Sequence, residues 1–293
     1  MTANRPIGVF DSGVGGLTVL KALRDRMPSE ALLYLGDTAR LPYGTKSARA
    51  VNAYALEAAR ALVDAGIKAL VVADNTSSAH ALDSLRNVFP GLPVVGVVEP
   101  GAAAAAHASA TGRIVVIATE STVQAETYPP AIRATRPDAT VIQQACPLFV
   151  ALAEEGMVDG PIAEQVARHY LAPLFADRPP AERGDCLLLG CTHFPVFAPL
   201  LRRLLGPEVA IVDSATTTAR AVESLLDALA LAAPRRDAPA PLRYLATDSP
   251  DRFAQVSKVF VSWRIAAAEV ERMDLASAAF SGNIEPVPLP SVG

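Results

Sequence analysis

The sequence predicts an α/β protein built of two similar, doubly wound parallel-sheet domains that face each other across an active-site cleft. Three observations predict it. Short apolar runs alternate with polar turns and helical segments along most of the chain. Several of those runs end in a polar or reactive side chain, where open parallel sheets place their ligands. A weak internal repeat pairs IGVFDSG with IVVIATEST, and VVADNTSS with LLLGCTHF, so that Asp11 answers Thr119 and Asp74 answers Cys191.

Taken in order, Ile7–Phe10 reads as a strand, DSGVGG as a turn and Leu17 to Met27 as a helix. Leu32–Leu35 is the second strand, Arg49–Gly66 has helical periodicity, and Ala69–Ala73 is a third, buried strand. Ser78–Phe89 reads as helix, Val94–Val98 as extended, and the alanine-rich stretch 102–110 as helix. Ile114–Ala118, Val141–Gln143, Cys186–Leu189 and Ala210–Val212 continue the strands, with helices near 125–135, 148–155, 160–175 and 196–205. PRRDAPAP (234–241) reads as a loop, and the closing PVPLPSVG as a loose tail.

Composition narrows the function classes. The chain has 293 residues, 51% apolar and 19% charged, enough for a sizeable core and against global disorder. Net charge is −4 and basic residues cluster no further than pairs such as Arg202-Arg203, which argues against nucleic acid as a partner. No apolar run reaches membrane-spanning length and the start lacks a signal pattern, so no membrane association is expected. Three widely spaced cysteines, Cys146, Cys186 and Cys191, fit reduced thiols and a cytoplasmic location.

Four segments carry candidate chemistry. In DSGVGGL the glycines fail the dinucleotide spacing, because the third glycine position is Thr18, and Asp11 would repel a pyrophosphate. The loop offers free N–H groups to a carboxylate, although a tight turn accounts for the glycines equally well. In LGDTARLPYG, Tyr43 and Gly44 form a turn that can present a hydroxyl and backbone amides. In LLLGCTHFP, Cys191 follows a buried strand, beside Thr192 and His193 and before a helix start near Pro195, a setting that favours thiolate. In VVADNTSS, Asp74 ends an apolar strand beside the donors Asn75 and Thr76; with Ser77 or Ser78 as helix cap, its carboxylate is expected to be free for other work.

Together with NTSSAHALDSLR, ACPLFVALAEEG and VDSATTTAR, these signatures make the chain resemble the glutamate racemases from about residue 5 to 261. The resemblance implies a first domain of residues 1–98 plus 210–293 and a second of 99–209. It implies interconversion of L- and D-glutamate without a cofactor or metal, supplying D-glutamate for peptidoglycan. Residues Asp11, Ser12, Tyr43, Gly44, Asn75, Thr76, Thr122, Thr192 and His193 fall on substrate-holding positions, and Cys191 on one proton-transfer cysteine. Asp11, Glu154 and His193 fall on positions that assist the cysteines. Family habit and an alanine-rich surface lead to the expectation of a homodimer.

Two departures stand out. The loop Thr119-Glu120-Ser121-Thr122 lacks the family's usual glycine, and Asp74 stands where the family has its first catalytic cysteine. Racemisation needs one acid/base group on each face of the α-carbon. A free thiol near ~8.5 and an aspartate near ~3.9 differ by about 4.6 units, roughly 6 kcal/mol in proton affinity. Burial beside Asp11 and the substrate carboxylates narrows that gap. Three readings stay open: a racemase with an Asp74/Cys191 pair; a related single-cysteine enzyme that exchanges a proton on one face or decarboxylates a malonate-type acid; and a glutamate-binding protein without catalysis.

Overall fold

A computed structural model describes residues 2–179 and 182–275; the PVPLPSVG tail lies outside the described residues. In the first half, β1 (Ile7–Asp11), β2 (Leu32–Gly36) and β3 (Ala69–Val72) are buried along their whole length, as the apolar runs demand. Their side chains alternate between two cores. Ile7, Val9, Leu32, Tyr34 and Val71 face one, and Phe10, Leu33, Leu35, Leu70 and Val72 face the other. Helix α1 (Leu17–Arg26) covers the first face, and α2 (Ala48–Asp64) with α4 (Leu82–Val88) covers the second.

Between α2 and α4 lies the short α3 (Asn75–His80), followed after α4 by β4 (Val94–Gly96). The single helix expected over 78–89 is therefore two. It begins three residues earlier than expected, at Asn75, and breaks where Ala81 leaves helical geometry at φ −122°.

The second half repeats the plan: α5 (Val98–Ala108), β5 (Arg113–Ala118), α6 (Glu120–Gln124), α7 (Tyr128–Thr135), β6 (Thr140–Ala145), α8 (Pro147–Glu154), α9 (Pro161–Leu171), β7 (Cys186–Gly190), α10 (Ala198–Leu205) and β8 (Ala210–Asp213). Here too residues alternate, with Val115, Ile117, Leu187 and Leu189 on one face and Ile114, Val116, Cys186 and Leu188 on the other. The chain then returns through α11 (Ser214–Ala228), β9 (Leu242–Ala246), α12 (Pro250–Phe260) and β10 (Val270–Arg272), elements the sequence reading did not separate. Residues 234–241 hold no regular element, as expected of that loop.

Every strand pairing among the described residues is parallel. The first sheet runs β10-β9-β2-β1-β3-β4 and the second β6-β5-β7-β8. The order β2-β1-β3-β4 matches β6-β5-β7-β8 position by position, so the internal repeat is one of topology as well as of sequence. One expected boundary is corrected: β8 pairs with β7, so residues 210–213 belong to the second sheet and the chain leaves it only after Asp213. Ladder hydrogen bonds to Leu187–Leu189 fix that placement more firmly than a position read from sequence.

Candidate active site

The repeat puts candidate side chains at equivalent strand ends of the two sheets. Asp11 ends β1 and Asp74 follows β3; Thr119 follows β5 and Cys191 follows β7. Hydrogen bonds join the two halves there. The Thr76 hydroxyl lies 3.2 Å from that of Thr119 and 3.3 Å from that of Thr122, which are 3.0 Å apart. Asn75 donates to the Tyr128 hydroxyl at 2.7 Å, and Thr18 donates to the Thr192 carbonyl at 2.9 Å.

The Cys191 side forms a relay. Its Sγ lies 3.8 Å from His193 Nδ1, and His193 Nε2 donates to Glu154 Oε1 at 3.0 Å. Burial works against the His193 cation, but the bonds to Cys191 and Glu154 outweigh it and raise His193 to about 10. Burial raises the Glu154 carboxyl while the His193 bond and charge lower it, and the lowering wins. Phe260 packs edge-on against the imidazole, with centroids 5.3 Å apart, and fixes the ring plane. This arrangement holds a cationic imidazole beside the Cys191 sulfur.

The Asp74 side is built differently. Asp74 caps α3: Oδ1 accepts from the Ser77 N–H at 2.5 Å and Oδ2 from the Ser12 hydroxyl at 3.1 Å. That corrects the expectation that Ser77 or Ser78 would cap the helix. The helix starts at Asn75, so the cap position falls on Asp74. Ser78 is occupied elsewhere, donating to the Val72 carbonyl and accepting from the Val97 N–H. Asp11 is fully buried and accepts from Gly13 N–H at 2.8 Å and the Tyr34 hydroxyl at 3.3 Å.

Gly15 explains one glycine of the turn. A Cβ there would lie 2.3 Å from His193 Nδ1 and 2.8 Å from Thr192 Oγ1. Close approach of the loop to the Cys191 side is the requirement, rather than a phosphate.

Tyr43 does not offer its hydroxyl to the cleft as the turn suggested. It donates to Asp37, and the ring packs between Phe10 and Tyr54. Asp37 also accepts from Arg40 Nε at 2.6 Å and from Thr247 at 2.9 Å, so the loop is anchored from below. Gly44 lies against Thr119, whose Cβ would be 2.9 Å from an added Cβ. The loop therefore presents backbone there. In the second departure from pattern, Thr119 caps α6 and accepts from the Thr122 N–H at 3.4 Å, so the turn forms without glycine.

The structure thus gathers Cys191, His193 and Glu154 in one chain of contacts, Ser12 and Asp74 in another, with Asp11 the residue before Ser12, and Thr76 with Thr122 in a third. Sequence reasoning missed Tyr128, Thr18, Asp37 and Phe260. Asp37 stands inside the GDTAR signature, while the other three carry no local signal because only tertiary packing brings them in. Among the described residues no cluster of His, Cys, Asp or Glu is placed to hold a metal, and no helix is long and apolar enough to cross a membrane.

Comparison with known proteins agrees with this fold. A family profile described as Asp/Glu/Hydantoin racemase matches residues 18–222. The glutamate racemase of Geobacter metallireducens is 45% identical over 262 residues, covering 89% of this chain and 94% of the relative. The crystal structure of glutamate racemase from Thermus thermophilus in complex with β-chloro-D-alanine aligns with a TM-score of 0.82 at 42% identity, covering 94% of this chain and 99% of the other. That of Francisella tularensis in complex with D-glutamate aligns with a TM-score of 0.84 at 34% identity, covering 94% and 99%.

Proposed function

This chain belongs to the Asp/Glu/Hydantoin racemase family, and from that premise we propose that it interconverts L- and D-glutamate by proton transfer at the α-carbon between Cys191 and Asp74. What supports the reading is that the two acid/base groups follow β3 and β7, strands at equivalent positions in the two sheets. Inversion requires one such group on each face of the carbon.

On this reading the Cys191 thiolate removes the α-proton of one enantiomer, steadied by His193 and oriented through Glu154. Asp74 returns a proton on the opposite face. The substrate's two carboxylates meet hydroxyl and amide donors: Ser12, Asn75, Thr76, Thr122 and Thr192, with the backbone of Tyr43-Gly44 and the imidazole of His193 completing the pocket. All the proton-transfer groups are side chains of this chain, so the reaction runs without cofactor or metal. Unchanged turnover after dialysis against a chelator, with no pyridoxal phosphate added, is the check. The physiological role that fits is D-glutamate supply for peptidoglycan, by a cytoplasmic homodimer.

The experiment is proton NMR with L-glutamate and, separately, D-glutamate in deuterated buffer, with optical rotation followed in parallel. Loss of the α-proton signal and of rotation from both enantiomers is expected. No exchange from either would overturn the proposal. A second reading is favoured by one observation: both Asp74 oxygens are already engaged, by Ser77 and Ser12. If capping is all Asp74 does, Cys191 works alone. Exchange then occurs from one enantiomer with configuration retained, or the chain decarboxylates a disubstituted malonate.

A further inference from the structure

Two carboxylates, not one, stand at neighbouring strand ends of the first sheet. Asp11 ends β1 and Asp74 follows the neighbouring β3; the backbone joins the strands there, with Ala73 N–H donating to the Phe10 carbonyl at 2.7 Å. Ser12, the residue after Asp11, reaches across to Asp74 Oδ2. Gly16 is wedged beside both strand ends, since an added Cβ would lie 2.6 Å from Asp11 Cβ and 2.9 Å from the Ala73 carbonyl oxygen. Both side chains are buried. Asp11 Oδ1 is buried with no hydrogen-bond partner, a costly state for an ionised oxygen.

We propose that Asp11 and Asp74 act as one unit that holds a single proton, and that this shared proton is what lets a carboxylate take the place of a thiol. The inference rests on the racemase reading and names how its second base works. Two carboxylates in one dry site do not both ionise readily, so the pair's first proton is held far more tightly than a lone aspartate would hold it. Burial first, then the Asp74 charge, push Asp11 up to about 7, while His193 pulls the other way. Burial pushes Asp74 up as well, against the hydrogen bonds from Ser77 and Ser12. The other titratable groups that face the pair are Tyr34 from β2, Tyr43 from its loop, and His193 beside Cys191.

The proton balance closes. In one direction the Cys191 thiolate takes the α-proton and becomes a thiol, and the pair's proton passes to the opposite face of the carbanion, leaving two carboxylates. In the other direction the pair takes the α-proton and the Cys191 thiol gives up its own. One proton stays on the enzyme between turnovers in either state. Asp11 acts through Asp74 and is a positioning residue.

The test is an infrared titration of the full chain, in water and deuterium oxide, for the parent, Asp11→Asn and Asp74→Asn. At about pH 6, well above a free carboxyl's ~3.9, the parent should keep one protonated carboxyl band; in both variants, which keep the burial but lose the second charge, the remaining carboxyl should titrate at lower pH than in the parent. In Asp11→Asn the acidic limb of the α-proton exchange profile should move down by about one pH unit or more. A band and an exchange profile unchanged by Asp11→Asn would overturn the proposal. Should Asp11→Asn fail to fold, Asp74→Cys serves instead: the remaining Asp11 should then titrate at lower pH than the parent's band, and an unchanged midpoint would be equally fatal. The infrared signal needs no turnover. A parent with the band but no exchange retires the racemase reading and leaves the pair standing, and exchange without the band does the reverse.

Discussion

Cys191 and Asp74 occupy equivalent strand ends, yet each is served by different neighbours. The sulfur faces a cation, His193, that is itself tied to Glu154; the carboxylate faces hydroxyl and amide donors and a second carboxylate. Glu154→Gln tests the first arrangement. It removes the charge that helps hold His193 near 10 while keeping side-chain shape, so the imidazole loses its proton at lower pH. The rate should fall by roughly 10- to 100-fold, part of the ~10²–10⁴ that a positioned acid or base supplies, and the basic limb of the kcat/KM profile should move down. An unchanged limb would mean that Glu154 does not tune His193. Asp11→Asn tests the second through stability. Asp11 rises from 3.8 to about 7 on folding, so between those values the folded state binds the extra proton and stability falls as pH rises. Asparagine escapes that penalty. Its melting temperature should match the parent's near pH 4 and exceed it above about pH 7, read by calorimetry. Equal curves across the range would show that burial of Asp11 costs nothing.

At the scale of the element, α3 decides what Asp74 is free to do. The helix is six residues long and its first turn is satisfied by the Asp74 carboxylate. Asp74→Ala should cost about 0.5–2 kcal/mol in urea unfolding, as cap removals do, whereas Asp74→Ser keeps an acceptor at the cap and should cost little. Both should lose proton transfer on one face. Serine that kept full exchange from both enantiomers would remove Asp74 from the chemistry. This double role was hidden in the sequence because it depends on where the helix starts, and Asn75-Thr76-Ser77-Ser78 offers several starts of nearly equal merit. The strands β1, β3, β5 and β7 were legible because strands buried on both faces must be continuous apolar runs. β9 and β10, LRYLA and VER, carry charges at positions left exposed near the sheet edge and look like loop. The Cys191–His193 pair could be read from spacing alone. Glu154 could not, since no local pattern ties α8 to β7, and it entered only through resemblance to the racemases.

At the scale of the molecule, the two sheets are not independent bodies. One apolar cluster takes in Val9 and Tyr34 of the first sheet, Val115 and Leu187 of the second, and α1, α11 and α12. An ionic contact ties segments within the first half. Lys68 Nζ and the Glu30 carboxylate pair at 2.5 Å, both buried, and Lys68 also donates to the carbonyls of Ala3 and Leu231 at 2.7 Å. Glu30 in turn accepts from the Ala233 N–H at 2.7 Å, so the pair binds the chain's start to the stretch just after α11. Truncating one partner strands the other charge, and Lys68→Ala should cost about 3–5 kcal/mol. A shared core makes the whole chain one cooperative unit. Trp263, the lone tryptophan, donates to Tyr244 of β9 and reports on the first sheet, while the thiol of Cys186, buried in β7, reports on the second. Tryptophan fluorescence and thiol accessibility should therefore give one coincident urea transition in the parent. In Lys68→Ala both should shift to lower urea together. If the fluorescence transition moved alone, the halves would be separable, and the placement of Asp74 relative to Cys191 would depend on a hinge rather than on the common core.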